Sequence, residues 1–237
     1  MATLRLLCIP HAGGGAFSFR GWAALLPASV EVFAVQLPGR EDRLDEPAFD
    51  TWQPMMAALT EAVALLPPLP TAVFGHSLGA VIALELGRWM EVRQPGRLHQ
   101  LYASGFRWPG SATNEHSNLA ALPDAELLQA LDRAYGSLST SLSHPDIRDL
   151  MLPILRADLS LLATYRYAVS PALDCPLTVF AGRDDPTTAS ANLEAWHQEC
   201  RGPFRIRNFD GQHFFLESDR ARLVAAIASS LEEAMRN

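Results

Sequence analysis

The sequence predicts an α/β fold in which a mostly parallel central sheet is flanked by helices and interrupted by one helical insertion. Three observations carry this expectation. Short apolar runs alternate with helical stretches at the spacing of right-handed βαβ units. Gly75-His76-Ser77-Leu78-Gly79 stands at the junction of one such run and the helix that follows it. From Trp108 to Ala168 the alternation breaks down, and two helix-like segments occupy the interval. The expected organisation is therefore a core of residues 1–107 and 169–237 with an insertion of residues 108–168.

Taken in order, residues 4–9 read as a buried strand followed by the cluster Pro10-His11-Ala12-Gly13-Gly14-Gly15-Ala16. Residues 22–26 give a short helix stopped by Pro27, and 31–37 a second strand. The charged run Pro38-Gly39-Arg40-Glu41-Asp42-Arg43, taken alone, reads as a solvated connection. A helix over 51–65 ends at Pro67-Pro68-Leu69-Pro70, ahead of the strand that enters the Ser77 motif. The next helix runs to about Arg93, and a strand follows over 98–104. In the insertion, 110–118 is loop-like, while 123–134 and 145–167 carry apolar sets at helical spacing. These sets are broad for helices that pack on one side only, so the insertion is expected to form a lid lining a substrate channel. The sheet resumes at 176–182, then a helix at 189–199, a last strand at 204–209 and a terminal helix at 217–235.

The totals exclude several function classes. At 237 residues, 49% apolar and 19% charged, the chain has the composition of an ordinary soluble globular protein. No apolar run approaches the roughly 20 residues of a membrane span. The apolar N-terminus lacks a cleavage site and reads as the first strand rather than a signal peptide. A net charge of −7 without any basic run argues against nucleic acid. All 19 basic residues are arginines, which removes a Walker A lysine, a Schiff-base lysine and a Ser-Lys dyad from consideration. Cys8, Cys175 and Cys200 are widely spaced and point to free thiols in a reducing cytoplasm, with no zinc ligand set. Neither a metal nor a cofactor is expected, and the chain is expected to be a monomer.

The chemistry begins at Ser77. A G-x-S-x-G pattern between a strand and a helix lifts its serine on a sharp turn, and flanking side chains larger than glycine would collide there. A serine hydroxyl needs a base, and the base needs an orienting carboxylate, in the chain order Ser, acid, His. Of seven histidines, His11 and His76 precede the serine, His99 begins a strand, His116 and His144 lie in polar loops and His197 lies within a helix. His213, just past the last strand, remains. The segment after 98–104 holds no acid, so the carboxylate comes from Gly182-Arg183-Asp184-Asp185-Pro186, with Asp184 and Asp185 both open and Asp210 and Glu217 nearby. The glycine cluster after the first strand has three readings: a phosphate loop, a turn, or a loop aiming backbone N–H groups at a reacting oxygen. The first lacks its lysine and spacing. On the third, the oxyanion donors are the N–H groups of Ala12 and Leu78.

Pro10-His11-Ala12-Gly13-Gly14, Pro38-Gly39-Arg40-Glu41, Gly75-His76-Ser77-Leu78-Gly79-Ala80, Gly182-x-x-Asp185-Pro186 and Gly211-x-His213-Phe214-Phe215-Leu216 occur in this order. Together with Arg156-Ala157-Asp158 and Thr164-Tyr165-Arg166-Tyr167, they resemble the type II thioesterases that accompany polyketide synthases and nonribosomal peptide synthetases. The resemblance spans nearly the whole chain. It implies an α/β-hydrolase fold, Asp185 rather than Asp184 as the acid, and hydrolysis of acyl thioesters held on the phosphopantetheine arm of acyl or peptidyl carrier domains. That role is editing, the clearing of stalled or wrongly loaded acyl groups. Gln212 departs from the family's glycine, and Leu159 and Ala163 depart from its phenylalanine and glutamate, which bears on the shape of the acyl channel. The competing expectations are a carboxylesterase or lipase-like enzyme of the same fold, a noncatalytic binding protein, and acyl transfer or cyclisation.

Overall fold

The computed structural model describes residues 2–111, 119–135, 144–188 and 193–236. Among them, six strands form one sheet: β1 (Leu4–Ile9), β2 (Val30–Ala34), β3 (Thr71–His76), β4 (Leu98–Ser104), β5 (Leu177–Gly182) and β6 (Phe204–Phe209). Their spatial order is β2-β1-β3-β4-β5-β6, and every neighbouring pair is parallel. The order reverses between β1 and β3. In open parallel sheets such a switch point opens a crevice at the carboxyl ends of the strands, where ligands bind. The glycine cluster leaves β1 at this point, and Ser77 leaves β3.

The helices are α1 (Trp22–Leu25), α2 (Trp52–Ala64), α3 (Leu78–Arg93), α4 (Asp124–Tyr135), α5 (Pro145–Thr164), α6 (Phe215–Ser218) and α7 (Arg220–Arg236). The four inner strands, β1, β3, β4 and β5, are buried on two faces, as a parallel sheet covered by helices requires. Leu7, Ile9, Val73, Leu101, Ala103, Val179 and Ala181 join the core shared with α2 and α3. The intervening Leu4, Leu6, Cys8, Ala72, Phe74, Tyr102 and Phe180 join Trp22 of α1 and Leu223, Val224, Ile227 and Leu231 of α7. This two-residue alternation is the pleat of the strands expressed as two cores. A third, separate cluster joins Leu127 and Leu131 of α4 to Leu152, Leu155 and Leu159 of α5. The two helices of the insertion thus share apolar contacts of their own.

Several expected boundaries shift. The strand expected over 31–37 is Val30–Ala34. Its only sheet neighbour, β1, gives way to Pro10, which has no N–H to extend the ladder. The helix expected to run to 167 stops at Thr164, because Tyr165 turns extended (φ −63°, ψ 139°). The terminal helix starts earlier than 217 and is broken at Asp219 (φ −121°, ψ 31°), which separates α6 from α7. The break leaves no backbone group stranded, since Asp219 N–H donates to Phe215 O (2.8 Å) and Asp219 O accepts Leu223 N–H (3.0 Å). Of the helix expected over 189–199, the described part is mainly a 3₁₀ turn at Ala195–Glu199, while 189–192 lie outside the described residues. Most of the expected loop over 110–118, His116 included, also lies outside them.

Candidate active site

Ser77 caps α3 at φ 55°, ψ −119°. Among the described residues, only Glu41 shares a positive φ without being glycine. Such a conformation costs about 1–3 kcal/mol and persists only where its surroundings enforce it. Here Ser77 N–H donates to Ser104 O (2.8 Å) and Ser77 O accepts Ala80 N–H (2.9 Å). The flanking glycines are dictated by space. A Cβ on Gly75 would lie 1.9 Å from Gly79 O, and one on Gly79 would lie 2.3 Å from Ile9 O. The helix therefore starts hard against the strand ends, with Ser77 and the first-turn N–H groups of α3 at one place. Those N–H groups form the positive end of the helix dipole.

The glycine cluster forms a turn closed by Gly14 N–H to His11 O (2.9 Å). Gly13, its third residue, has φ 78°, the positive angle that a type II turn demands there. The rest of the loop is held by side chains. Gly13 N–H donates to Asp158 Oδ2 (2.7 Å), Ala16 N–H to Gln36 Oε1 (2.6 Å) and Phe17 N–H to Glu41 (3.2 Å). Arg40 Nη1 donates to Gly14 O (3.0 Å), and its two terminal nitrogens grip the Asp158 carboxylate at 2.7 and 2.8 Å. Arg40 is 3% exposed. The expectation that the Pro38–Arg43 run is a solvated connection is thus corrected at Arg40, while Glu41 and Asp42 are exposed. The Arg40 guanidinium turns inward because a buried carboxylate, 118 residues later in the chain, meets it.

His213 follows β6, and its Nδ1 lies 2.8 Å from Asp185 Oδ2. The other oxygen of Asp185 accepts Thr187 N–H (2.9 Å) and Thr187 Oγ1–H (2.6 Å). Burial alone would raise the Asp185 carboxyl. The bonds from His213 and Thr187 outweigh it and hold the group below the usual carboxylate range. Of the residues left open by the sequence, Asp184 is exposed, and Asp210 faces solvent beside Arg183 and Arg222. Glu217 is exposed as well. With Nδ1 engaged, Nε2 of His213 is the nitrogen left for proton transfer. Ser77, His213, Ala12 and His11 line one small cavity of about 30 Å³, closed by Leu131 and Tyr135 of α4, Leu155, Leu159 and Leu162 of α5, and Phe214.

Two histidines set aside by chain order nevertheless border the site. His76 is fully buried, its Nδ1 lies 2.9 Å from Ser104 Oγ, and its ring stands 5.1 Å from that of His213. Burial first, and then the neighbouring imidazoles of His213 and His11, hold His76 well below the ordinary histidine range. It is therefore neutral and adds no charge beside His213. His11 packs on Phe214 at 5.1 Å and its Nδ1 meets Ala12 O at 3.1 Å. His144 is exposed and His197 packs against Phe204, both away from the cavity. Thr187 is a residue that sequence reasoning passed over. A local signal existed, since an Asp side chain in a turn commonly accepts the backbone N–H two residues on. For Arg40 and Asp158 the pairing had no local signal.

Among the described residues no helix is long and apolar enough to cross a membrane, and no group of three or more His, Cys, Asp or Glu is placed to hold a metal. Cys8, Cys175 and Cys200 are free and buried. The family model for the thioesterase domain matches residues 4–234. The chain is 33% identical over 230 residues to the gramicidin S biosynthesis protein GrsT of Aneurinibacillus migulanus, spanning 97% of this chain and 90% of that protein. Among solved structures, RedJ, a thioesterase of the prodiginine biosynthetic pathway in Streptomyces coelicolor, aligns with a TM-score of 0.85 at 36% identity. That alignment covers 96% of this chain and 85% of RedJ. The type II thioesterase BorB from the borrelidin biosynthetic cluster aligns with a TM-score of 0.83 at 31% identity, over 96% of this chain and 92% of BorB.

Proposed function

The chain belongs to the thioesterase domain family, and from that premise we propose that it hydrolyses acyl thioesters on the phosphopantetheine arm of carrier domains, with Ser77, His213 and Asp185 as its catalytic triad. The observation that carries the reading is the 2.8 Å bond between His213 and Asp185 beside a serine held at φ 55° in one leucine-lined cavity. In the reaction, Ser77 Oγ attacks the thioester carbonyl as Nε2 of His213 takes its proton. Asp185 keeps the remaining proton on Nδ1 and stabilises the imidazolium. The N–H groups of Ala12 and Leu78 receive the developing oxyanion, each worth about 3–4 kcal/mol to the transition state. The C–S bond breaks, His213 gives its proton to the departing thiolate, and the acyl group stays on Ser77. A water activated by His213 then attacks the acyl-enzyme, releasing the acid and restoring the serine.

No cofactor is needed, because phosphopantetheine arrives as part of the substrate. Residues 108–168 serve as a lid, with Leu131, Leu155, Leu159 and Leu162 as the acyl-facing wall. The site is assembled from one chain, so a monomer suffices. The editing role beside a synthase, which we place in the cytoplasm, is supported by relatives such as GrsT, named for gramicidin S biosynthesis, and BorB, a type II thioesterase from the borrelidin biosynthetic cluster. The test is a panel of acyl groups from acetyl to long chain, loaded on a carrier domain and compared with free oxygen esters. Wild type is expected to release acid from the carrier thioesters, and Ser77→Ala to release none and to resist labelling by a fluorophosphonate. A clear preference for oxygen esters, or transfer of the acyl group to an acceptor other than water, overturns the reading.

A further inference from the structure

We propose that Asp158, carried on α5 of the insertion, and Arg40 are positioning residues that hold the conformation and place of the turn whose first peptide plane carries the Ala12 N–H, so that the insertion completes the oxyanion site besides covering it. This rests on the reading of Ala12 as an oxyanion donor. Fixing a carbonyl fixes the N–H on the opposite side of the same planar peptide group. The His11–Ala12 plane is held through His11 O, which accepts Gly14 N–H at 2.9 Å. Ala12 N–H belongs to that plane and therefore points away from the turn. The Ala12–Gly13 plane is held at its two ends: Gly13 N–H donates to Asp158 Oδ2 (2.7 Å), and Ala12 O meets His11 Nδ1 (3.1 Å). The Gly14–Gly15 plane is held through Gly14 O by Arg40 Nη1 (3.0 Å).

The middle plane is the vulnerable one. Type I and type II turns differ by its flip, and Gly13 at φ 78° gains no side-chain support for either form. Asp158 selects the form in which Gly13 N–H faces α5, and with Arg40 on Gly14 O it fixes the seat of the turn from which the Ala12 N–H projects. Leu155, one turn earlier on α5, presses on the same spot, for a Cβ on Gly13 would lie 2.7 Å from its Cδ2. The pair itself is fully desolvated, with Arg40 and Asp158 side chains 3% and 0% exposed. A buried ion pair of this kind is weak evidence for stability, and fixing one arrangement among alternatives is its better-attested use. Residues 40 and 158 belong to different parts of the chain, and the loop they clamp belongs to neither.

The experiment replaces the pair without leaving a lone charge, as Arg40→Leu with Asp158→Leu, alongside Asp158→Asn alone. Each is read as kcat and KM per titrated Ser77, and as affinity for a boronic acid that adds to the serine, compared with an unreactive thioether substrate analogue. The expected result is a kcat about 10- to 100-fold lower, the scale of a misplaced catalytic group. KM and thioether affinity should stay within about 3-fold, boronate affinity should fall with kcat, and the pH profile of kcat should be unmoved. Asp149→Asn, an exposed carboxylate on the same helix, should match wild type. Wild-type kcat and boronate affinity in either variant overturn the proposal, as does a loss carried by KM alone. Should the double variant fail to fold, Asp158→Asn decides by the same readings. Failure of the underlying reading looks different, since Ser77→Ala would then retain activity and the boronate would not bind wild type.

Discussion

Asp185 divides its two oxygens between two partners: one meets His213 Nδ1 at 2.8 Å, the other is held by Thr187. Asp185→Asn keeps the shape but stabilises the wrong imidazole tautomer, and kcat should fall about 10⁴-fold while the protein stays folded, checked by single-turnover assay and circular dichroism. The group also contributes to acid stability. Its folded pKa lies below the unfolded value, so its contribution is complete above the ordinary carboxylate range and is lost as pH falls through the depressed value. His76 acts in a different window. Its folded pKa lies well below about 6.5, so the unfolded chain binds the extra proton and stability declines as pH falls from about 6.5. Urea titrations at successive pH values should show His76→Gln removing a slope of up to about 1.4 kcal/mol per pH unit. An unchanged slope would assign it to another group. Ser77 and His213 were legible from pattern and order, because the chemistry constrains their places. Position and chain order did not separate Asp184 from Asp185; only the family resemblance, through Asp185-Pro186, pointed to Asp185, because neighbouring residues differ in which one faces inward.

At the scale of elements, the turn between β3 and α3 is where sequence and packing agree most closely. Gly79 is required by a neighbour rather than by its own dihedral angles: the atom its Cβ would strike is Ile9 O, a backbone atom of β1. Backbone cannot swing aside as a flexible side chain can. Gly79→Ala should therefore cost about 2–3 kcal/mol, the upper part of the usual overpacking range, seen as a lower urea midpoint at unchanged m value. Gly96 is the internal comparison, with φ 77° and open space around it. Gly96→Ala should cost only the left-handed penalty of about 1–2 kcal/mol. The central strands were legible as apolar runs because helices cover them on two sides. The end of the edge strand β2 and the break at Asp219 were not, because they depend on where a partner ends and on how two helices meet the same sheet. The turn at Arg40 was misread for a related reason: a charged run signals solvent unless a partner is known.

At the scale of the whole molecule, the chain enters and leaves the insertion at a single carboxylate. Glu199, 2% exposed and outside every motif, accepts Trp108 Nε1 (2.7 Å) where the chain departs from the core and Tyr167 OH (2.8 Å) where it returns. It also accepts Arg88 Nη2 (2.7 Å) from α3, the helix that Ser77 caps, and Arg88 is bonded in turn to Glu85, which takes Tyr165 OH at 2.8 Å. Three acceptances on one buried carboxylate offset its desolvation, and they connect the insertion to the helix that Ser77 caps. Truncating it as Glu199→Ala leaves Arg88 with Glu85 as its carboxylate partner but removes the acceptor of Trp108 Nε1 and Tyr167 OH, at a cost of about 1–3 kcal/mol for each donor left unpaired. Cutting a surface pair with Arg201→Ala should cost at most about 1 kcal/mol. The distinguishing measurement is hydrogen exchange. If Glu199 fastens the two crossings, protection in α5 should fall by more than protection in β3 and β4, because the insertion keeps its own leucine cluster yet loses its tie to the core. A uniform fall across α5 and the sheet would mean that Glu199 supports only global stability, and that the position of the insertion is set elsewhere. Asp158 on α5 would then be its principal tie to the catalytic loop.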